Sequence, residues 1–175
     1  MDEGLAIVDF AYRHIQPVFD LHMTTHRAHA AELPEIFATD PNEDEIWHDL
    51  RSYLPSRFRL RRRSKFGIVC ERESGLVGYL LYMIEKVPRP AAANDALVVT
   101  IYDICVREDS RGTGLGLRMV GDVRARFAGH AGQTFFSAQV WRGNDASRRL
   151  FQRAGFSPSF TSFFVVQGDV EPDAV

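Results

Sequence analysis

Residues 101–127 read IYDICVREDSRGTGLGLRMVGDVRARF and join a predicted strand to a predicted helix through a glycine-rich turn. The turn, Arg111–Gly116, carries glycine at positions 112, 114 and 116. Glycine lets the backbone approach a ligand closely, and the first N–H groups of a helix have no partner within it. These donors and the positive end of the helix dipole suit a diphosphate, and Arg111 adds a charge at the rim. The segment therefore predicts a turn that binds phosphate.

Two other glycine-rich loops do not fit this turn. A P-loop ends in Gly-Lys-Ser/Thr, and no lysine follows the glycines here. A dinucleotide-binding fingerprint opens the first βαβ unit and is followed by an acidic residue at the tip of the next strand. Here the glycines come late in the chain, and the next predicted strand ends in Trp141-Arg142. Taken alone, the turn is also compatible with a glycine-rich loop that binds nothing.

The composition is that of a globular domain, and 175 residues can form one hydrophobic core without disulfides or metal. A formal net charge of −2 and a pI near 6.3 argue against a dedicated nucleic-acid-binding protein. The basic residues between 57 and 65 are offset by acidic residues between 43 and 49, so we expect a solvated surface there. Cys70 and Cys105 lie in no paired motif and are expected to be reduced, buried thiols of a cytoplasmic protein. No run approaches the ~18 apolar residues of a membrane span, so no membrane association is expected.

The patterns along the chain predict one α+β domain with the order β-α-α-β-β-β-α-β-α-β. We expect the domain to cover residues 1–168, with residues 169–175 as a frayed tail. For the second helix, Asp40 is the predicted cap, followed by Pro41 at the first helical position and Glu43 in a capping box. The predicted strands are Leu5–Phe10, Phe66–Glu71, Val77–Val87, Ala96–Val106, Thr134–Trp141 and Thr161–Val166, and the other helices are Arg13–Ala31, Gly114–Ala128 and one from Asn144 or Asp145 to Ala154.

A second motif follows the predicted strand that ends at Trp141. Asn144 precedes a short helix that ends in Gly155-Phe156. With both motifs at this separation, the sequence resembles the GNAT superfamily of N-acetyltransferases over Val99–Phe156. The cofactor motif of that family, Arg/Gln-x-x-Gly-x-Gly/Ala after a strand, corresponds to Arg111 through Gly116. The resemblance implies a single-domain GNAT-like fold, in which a mixed, mostly antiparallel, splayed sheet carries helices on both faces.

The resemblance also implies acetyl-CoA as co-substrate and no metal. In the family, two strands diverge, and pantetheine enters between them. They are the strand before the glycine turn and the strand after the helix that follows the turn. The strand would offer backbone groups to the pantetheine arm, the turn would hold the diphosphate, and the asparagine would contact pantetheine. The residues that correspond to this site are Ile104, Cys105, Val106, Arg111, Gly112, Thr113, Gly114, Leu115, Gly116 and Asn144.

Direct attack of an amine on a thioester needs a base, because an ammonium group is not a nucleophile at neutral pH. Asp103 is the predicted base or amine anchor, since it lies on the strand beside the expected thioester; it is equally compatible with a purely local hydrogen-bonding role. Tyr102 precedes it, and on a regular strand these neighbours point to opposite faces.

Phe151 occupies the position where many family members carry a tyrosine that acts as the general acid, and phenylalanine has no proton to donate. Tyr102 is the alternative acid. A structural reason for Phe151 is also available, because Phe156 would pack against it in a Schellman motif at the helix end.

Three histidines, at positions 22, 26 and 29, fall close to one face of the first predicted helix. Such spacing suits a metal or the lining of a substrate groove; with no carboxylate support visible and no metal in the family reaction, the groove is favoured. In relatives the region between the first two helices helps to form the acceptor site. The acceptor-site candidates are His26, His29, Glu32 and Glu35.

These observations predict an acetyl-CoA-dependent N-acetyltransferase whose acceptor is a primary amine of a small molecule, peptide or protein. Two alternatives stay open. The chain is a catalytically idle acyl-CoA-binding sensor, which Phe151 and the single acid favour, or it transfers a longer acyl group. No nucleic-acid or membrane partner is expected, and a homodimer is compatible with the resemblance.

Overall fold

The computed structural model describes residues 4–54, 63–88 and 96–159 of the chain. The predicted loop Ala91–Asp95, the predicted strand Thr161–Val166, the tail from 169 to 175 and residues 57–62 of the basic run lie outside the described residues. Within them, no helix has the length and apolar character that a membrane crossing requires.

Within the described residues, five strands form one sheet in their order along the chain, which confirms the mixed, mostly antiparallel architecture. The first four strands pair antiparallel, and the fifth lies parallel to the fourth. A two-residue turn, Glu73-Ser74, joins the second and third strands. The strands are β1 Ala6–Asp9, β2 Arg63–Arg72, β3 Gly75–Val87, β4 Ala96–Val106 and β5 Thr134–Ala138.

Four helices cover both faces of the sheet, as the predicted fold requires. Central strand β3 is apolar on both sides because helices cover it on both sides. One core joins α1 and α2 to side chains such as Val69 and Leu81, and a second joins α3 and α4 to side chains such as Leu80 and Val99. The helices are α1 Ile15–Glu32, α2 Glu43–Arg51, α3 Leu115–Ala125 and α4 Asp145–Arg153.

Asn42 is the N-cap of α2, so the predicted capping box that starts at Asp40 is wrong. Asn42 Oδ1 accepts the backbone N–H of Glu45 at 3.3 Å, and Asn42 Nδ2 donates to Glu45 Oε1 at 3.0 Å. An amide satisfies both requirements because it accepts and donates at once, whereas an ionised carboxylate only accepts. Pro41 consequently precedes the cap and is not the first helical residue.

Candidate active site

The sheet opens between β4 and β5. Their parallel pairing runs from Leu97↔Thr134 to Ile101↔Ala138 and stops, because β5 ends at Ala138 and not at the predicted Trp141. Strand β4 continues to Val106, where β3 pairs with its other edge. Beyond Ile101, the edge of β4 on the β5 side has no strand beside it among the described residues. Backbone groups on such an edge can bind a ligand, apart from the Val106 carbonyl, which accepts from Arg111 Nε. The predicted thioester-binding residues 104–106 lie on this edge.

A β-bulge at Tyr102 turns the following residues of β4 over. Leu81 of β3 pairs with Asp103 while Tyr82 pairs with Ile101, which leaves Tyr102 as an extra residue. Ile101 belongs to the α3 side, but Asp103 hydrogen-bonds to α1 two residues later. A bulge re-aims side chains in this way. The expectation of regular alternation is wrong here, and Tyr102 and Asp103 line the same cavity.

This cavity, of about 540 Å³, extends from the acceptor-side helices α1 and α2 to the opening between β4 and β5. Its walls come from both helices, from β4 and from the segment that joins β5 to α4. Among the described residues, no lysine or arginine lines it. It is therefore an electronegative, partly aromatic chamber. The acidic lining residues are Glu45, Asp49 and Asp103, and the aromatic ones are Phe37, Tyr53, Tyr102, Trp141 and Phe151.

Asp103 is held by two donors at the wall of this cavity. Its Oδ2 accepts the hydroxyl of Tyr79 at 2.7 Å and lies 2.8 Å from Nδ1 of His22. His22 Nδ1 is also 3.1 Å from the Tyr79 hydroxyl. Complete burial, followed by the nearby charge of Asp103, raises the pKa of Tyr79 well above its ordinary value, so this phenol stays protonated and donates. The side chains of His22 and Asp103 are each about a quarter exposed, at 26% and 24%.

The three histidines of α1 face the cavity, each with its own partner. His26 Nε2 lies 2.8 Å from the carbonyl oxygen of Ala38, and His29 Nε2 lies 3.5 Å from Asn144 Nδ2. Both rings contact Phe37, with centroid separations of 5.8 and 5.1 Å. Within the described part of the chain, no group of three His, Cys, Asp or Glu side chains has the arrangement of a metal site. The other two predicted acceptor residues, Glu32 and Glu35, are exposed and do not line the cavity.

The glycine turn has the backbone that a bound diphosphate requires. Gly112 and Gly114 have φ values of +75° and +84°, and a β-carbon on either would meet no atom within 4 Å, so the space above them is open. Gly114 is the N-cap of α3, whose first N–H groups have no helical partner. Thr113 Oγ1 donates to the Ser110 carbonyl at 2.8 Å, and Arg111 Nε donates to the Val106 carbonyl at 3.1 Å. These two bonds fix the turn against the end of β4.

Gly116 has a different role from Gly112 and Gly114, although the motif alone does not distinguish the three. A β-carbon on Gly116 would lie 3.2 Å from the side chain of Leu150, so this glycine allows α4 to pack closely on α3. The neighbouring Leu115 has its side chain in the core and can offer only its backbone to a ligand.

A model of the Acetyltransferase (GNAT) family matches residues 22–156 of the chain, which include the opened sheet, the bulge and the glycine turn. This chain belongs to the GNAT family of acetyltransferases.

Solved structures share the GNAT fold over nearly the whole chain. A tetramutant of the BH1408 protein from Bacillus halodurans has a TM-score of 0.74 at 18% identity, covering 92% of this chain and 99% of that one. Aminoglycoside N-acetyltransferase AAC(6')-Iy in complex with CoA has a TM-score of 0.68 at 14% identity, covering 96% and 99%. Ribosomal-protein-alanine N-acetyltransferase from Brucella melitensis biovar Abortus 2308 has a TM-score of 0.62 at 14% identity, covering 94% and 99%. At such identities these likenesses show the fold alone. No curated protein matches the chain in sequence.

The second GNAT motif begins at Asn144, which caps α4. Its Oδ1 accepts the backbone N–H of Ser147 at 3.0 Å, so this oxygen is committed to the helix. The amide nitrogen faces His29 and the cavity. Asn144 therefore holds the start of α4 and presents only donors to the chamber.

The same motif ends in the expected Schellman cap. The N–H of Phe156 donates to the Phe151 carbonyl at 2.9 Å, and the N–H of Gly155 donates to the Gln152 carbonyl at 3.0 Å. Gly155 has a φ of +84°, and the rings of Phe151 and Phe156 meet edge to face at 5.2 Å. The packing explanation for Phe151 is confirmed.

Cys105 lies one strand position from the expected thioester but is a poor nucleophile. Its Sγ is 2.9 Å from Thr25 Oγ1, and burial raises the pKa of the thiol above its ordinary value. The thiol stays protonated at neutral pH.

Sequence reasoning missed three polar or aromatic groups of the site: Tyr79, Tyr53 and Phe37. Tyr79 reaches Asp103 only because the register of β3 on β4 places the two residues near each other. His22 was visible as part of the histidine series, but its partner lies 81 positions away along the chain. No local pattern announces such a pairing.

Proposed function

We propose that this GNAT protein is an acetyl-CoA-dependent N-acetyltransferase that transfers the acetyl group directly to a primary amine of a small molecule, peptide or protein. One observation carries the proposal: a single cavity connects the acidic space under α1 and α2 to the unpaired edge of β4. Two substrates that react directly must meet in one chamber, with their reacting atoms about 3–3.5 Å apart.

The cofactor side of the chamber fits CoA. The open space above Gly112 and Gly114 and the free amides at the start of α3 suit the diphosphate, and the free edge of β4 suits the amide-bearing pantetheine arm. Once bound, the thioester supplies an activated acetyl group. The residues proposed to hold acetyl-CoA are Ile104, Cys105, Val106, Arg111, Gly112, Thr113, Gly114, Leu115, Gly116 and Asn144, of which Leu115 and Gly116 contribute backbone only.

The acceptor side suits a cationic amine. Its carboxylates Glu45 and Asp103 attract an ammonium group, and no Lys or Arg belongs to the described lining. Asp49 contributes less, because Lys65 Nζ pairs with it at 2.5 Å. Asp103 is the proposed base or amine anchor of the catalytic centre, and Tyr102, on the bulge, is the proposed donor to the departing thiolate. A thiol with an ordinary pKa near 8.5 is a fair leaving group, so this donor contributes modestly.

Four further side chains are proposed to contact the acceptor. His26 and His29 line the chamber itself. Glu32 and Glu35 lie at the exposed C-terminal end of α1 and beyond, where they would meet only a larger acceptor such as a peptide. We also propose a cytoplasmic location for the protein, where its two buried cysteine thiols stay reduced.

A second candidate function is acyl-CoA sensing without turnover, and the buried Phe151, which has no proton to donate, favours it. The test is thiol release from acetyl-CoA with a broad amine panel, with mass spectrometry of the products and calorimetry of acetyl-CoA binding. The proposal expects release that depends on the amine and a product heavier by one acetyl group. Binding without release across the panel supports the sensor, and faster release from longer acyl-CoAs identifies a different acyl donor.

A further inference from the structure

We propose that His22 is the group that takes the proton from the attacking amine, and that Asp103 is the positioning residue that orients its ring. The inference rests on the proposed acetyl transfer and changes the role of Asp103 in it from base to positioning residue. Its basis is the contact of His22 with Asp103 and Tyr79 at the cavity wall.

The contacts of the two ring nitrogens define the tautomer. Nδ1 of His22 lies 2.8 Å from Asp103 Oδ2, which only accepts when ionised, so Nδ1 carries the proton. Tyr79 donates its hydroxyl to the same oxygen. The oxygen of that hydroxyl, 3.1 Å from Nδ1, can then only accept from the ring, which also requires the proton on Nδ1. Nε2 has no hydrogen-bond partner among the described residues, and the ring lines the chamber. The neutral ring thus presents the lone pair of Nε2 to the side where the acceptor binds.

Asp103 is less suited than the imidazole to take the proton itself. Two donors converge on its Oδ2, so protein groups already engage the lone pairs of this oxygen. An ordinary carboxyl group titrates near pH 4 and an ordinary imidazole near 6.5, and general bases work best when their pKa is close to the operating pH. A carboxylate behind an imidazole also stabilises the imidazolium that forms, as in the Ser-His-Asp triad.

Atoms and charge balance across the step. The amine nitrogen forms a bond to the acyl carbon, the carbon–sulfur bond breaks, and its electron pair leaves with the sulfur of CoA. The surplus proton of the nitrogen moves to Nε2 of His22. The thiolate takes a proton from Tyr102, and the imidazolium returns its proton to Tyr102 through water, so the products are an amide and free CoA thiol.

Other titratable groups face the same chamber and must be separated from His22 by experiment. Only His26 and His29 among them ordinarily titrate near neutrality. The groups that surround the chamber are His26 and His29 on α1, Glu45 and Asp49 on α2, Tyr53 beyond α2, Tyr79 on β3, and Tyr102, Asp103 and Cys105 on β4.

The decisive variant is His22→Asn, whose side-chain amide can still donate to Asp103 but cannot accept a proton as a base. We expect kcat/KM to fall by about 10²-fold or more, with the Kd for acetyl-CoA unchanged by calorimetry. We also expect the acid limb of the kcat/KM–pH profile to disappear in this variant and to persist in His26→Gln and His29→Gln. Added imidazole should restore activity to His22→Ala. His48→Gln, an exposed histidine of α2 that does not line the chamber, is the matched control.

A second readout does not depend on turnover. NMR of protein labelled with ¹⁵N-histidine should show the neutral Nδ1–H form of His22 in the wild type and its loss in Asp103→Asn. If His22→Asn keeps near wild-type kcat/KM and an unchanged acid limb, the role of His22 is overturned while the proposed acetyl transfer stands. An Nε2–H tautomer of His22 in the wild type would have the same consequence. A wild-type protein that binds acetyl-CoA but acetylates no amine overturns the proposed function and this inference with it.

Discussion

At the scale of single residues, Asp103 is the polar group on which the site converges. It joins α1 to β3 through His22 and Tyr79, and it lies next to the free edge of β4. Each of the two donors helps to hold the carboxylate of Asp103, so removing one of them also loosens the contact between Asp103 and the other. The following variant measures that coupling.

Tyr79→Phe removes one donor from Asp103 and keeps the ring in the core. Because His22 remains bound and water can reach the partly exposed carboxylate, we expect kcat/KM to fall by about 3- to 10-fold and the free energy of unfolding by about 1 kcal/mol. Tyr82→Phe, on the opposite face of the sheet, is the control and should leave kcat unchanged. A larger effect at Tyr82 than at Tyr79 would contradict this view of the site. Steady-state kinetics and urea unfolding measure both quantities.

His14 provides a pH-dependent contribution to stability. Its Nδ1 accepts the Ala11 N–H at 2.9 Å, and Nε2 lies 3.4 Å from Glu71 Oε2. Burial, and next the charge of Arg13, lower its pKa in the folded protein. The unfolded chain therefore binds this proton at higher pH, and the free energy of unfolding falls as the pH drops below about 6.5.

The variant His14→Asn keeps an acceptor for the Ala11 N–H and cannot titrate. We expect urea unfolding between pH 8 and pH 5 to show a shallower loss of stability in the variant, by up to about 1.4 kcal/mol per pH unit in the affected window. Parallel stability curves for the two proteins would show that His14 does not contribute.

The residue-level predictions from sequence succeeded where the signal was local. Asn144 as a helix cap and Phe151 against Phe156 depend on neighbours a few positions apart, and both are confirmed. The partner of Asp103 depends on how α1 lies over the sheet, which no short pattern encodes. The cap of α2 was misplaced by two residues because Asp40 and Asn42 are both acceptable capping residues in sequence.

At the scale of elements, the bulge in β4 and the early end of β5 build the site together. The bulge brings Asp103 to the α1 face. Because β5 ends at Ala138, the β5-facing edge of the same stretch of β4 has no strand beside it among the described residues. The bulge was not predicted, because it adds one residue without altering the apolar character of the strand. The end of β5 was predicted at Trp141, three residues too late. The positions of β3 and β4 themselves were predicted well, since their long apolar runs are covered on both faces.

The glycine turn allows a direct test at this scale. Gly114→Ala forces a side chain into a left-handed backbone and into the open space proposed for the diphosphate, so we expect acetyl-CoA affinity to fall by about 10-fold or more. Gly75→Ala, at a φ of +111° in the β2–β3 hairpin, carries comparable backbone strain far from the turn. It should lose stability and keep its affinity. Equal affinities in calorimetry for Gly114→Ala and the wild type would argue against a diphosphate at this turn.

At the scale of the whole molecule, two cores pack on opposite faces of one sheet, and the chamber extends from α1 and α2 to the opening between β4 and β5. The α+β order and the splayed sheet follow from the sequence because each element carries its own periodicity and because two motifs fix the family. The character of the acceptor pocket did not follow, since its acidic and aromatic side chains come from five separate segments.

The charge of that chamber predicts acceptor selectivity. For two amines of similar shape, one of which also carries a carboxylate, we expect the anionic compound to show a kcat/KM lower by about 10-fold or more. Added salt should narrow the difference, because ions screen the field of Glu45 and Asp103, whereas Asp49 is already paired with Lys65. Paired kinetics at low and high ionic strength provide the measurement. A preference for the anionic amine would be incompatible with this chamber as the acceptor site.

A crystal structure of the protein with CoA tests the central claim most directly. The claim predicts the diphosphate over Gly112 and Gly114, the pantetheine arm along the free edge of β4 between residues 102 and 106, and the thiol in the chamber that Asp103 and His22 line. CoA bound elsewhere on the molecule, or a β4 edge closed by another part of the chain, would contradict it.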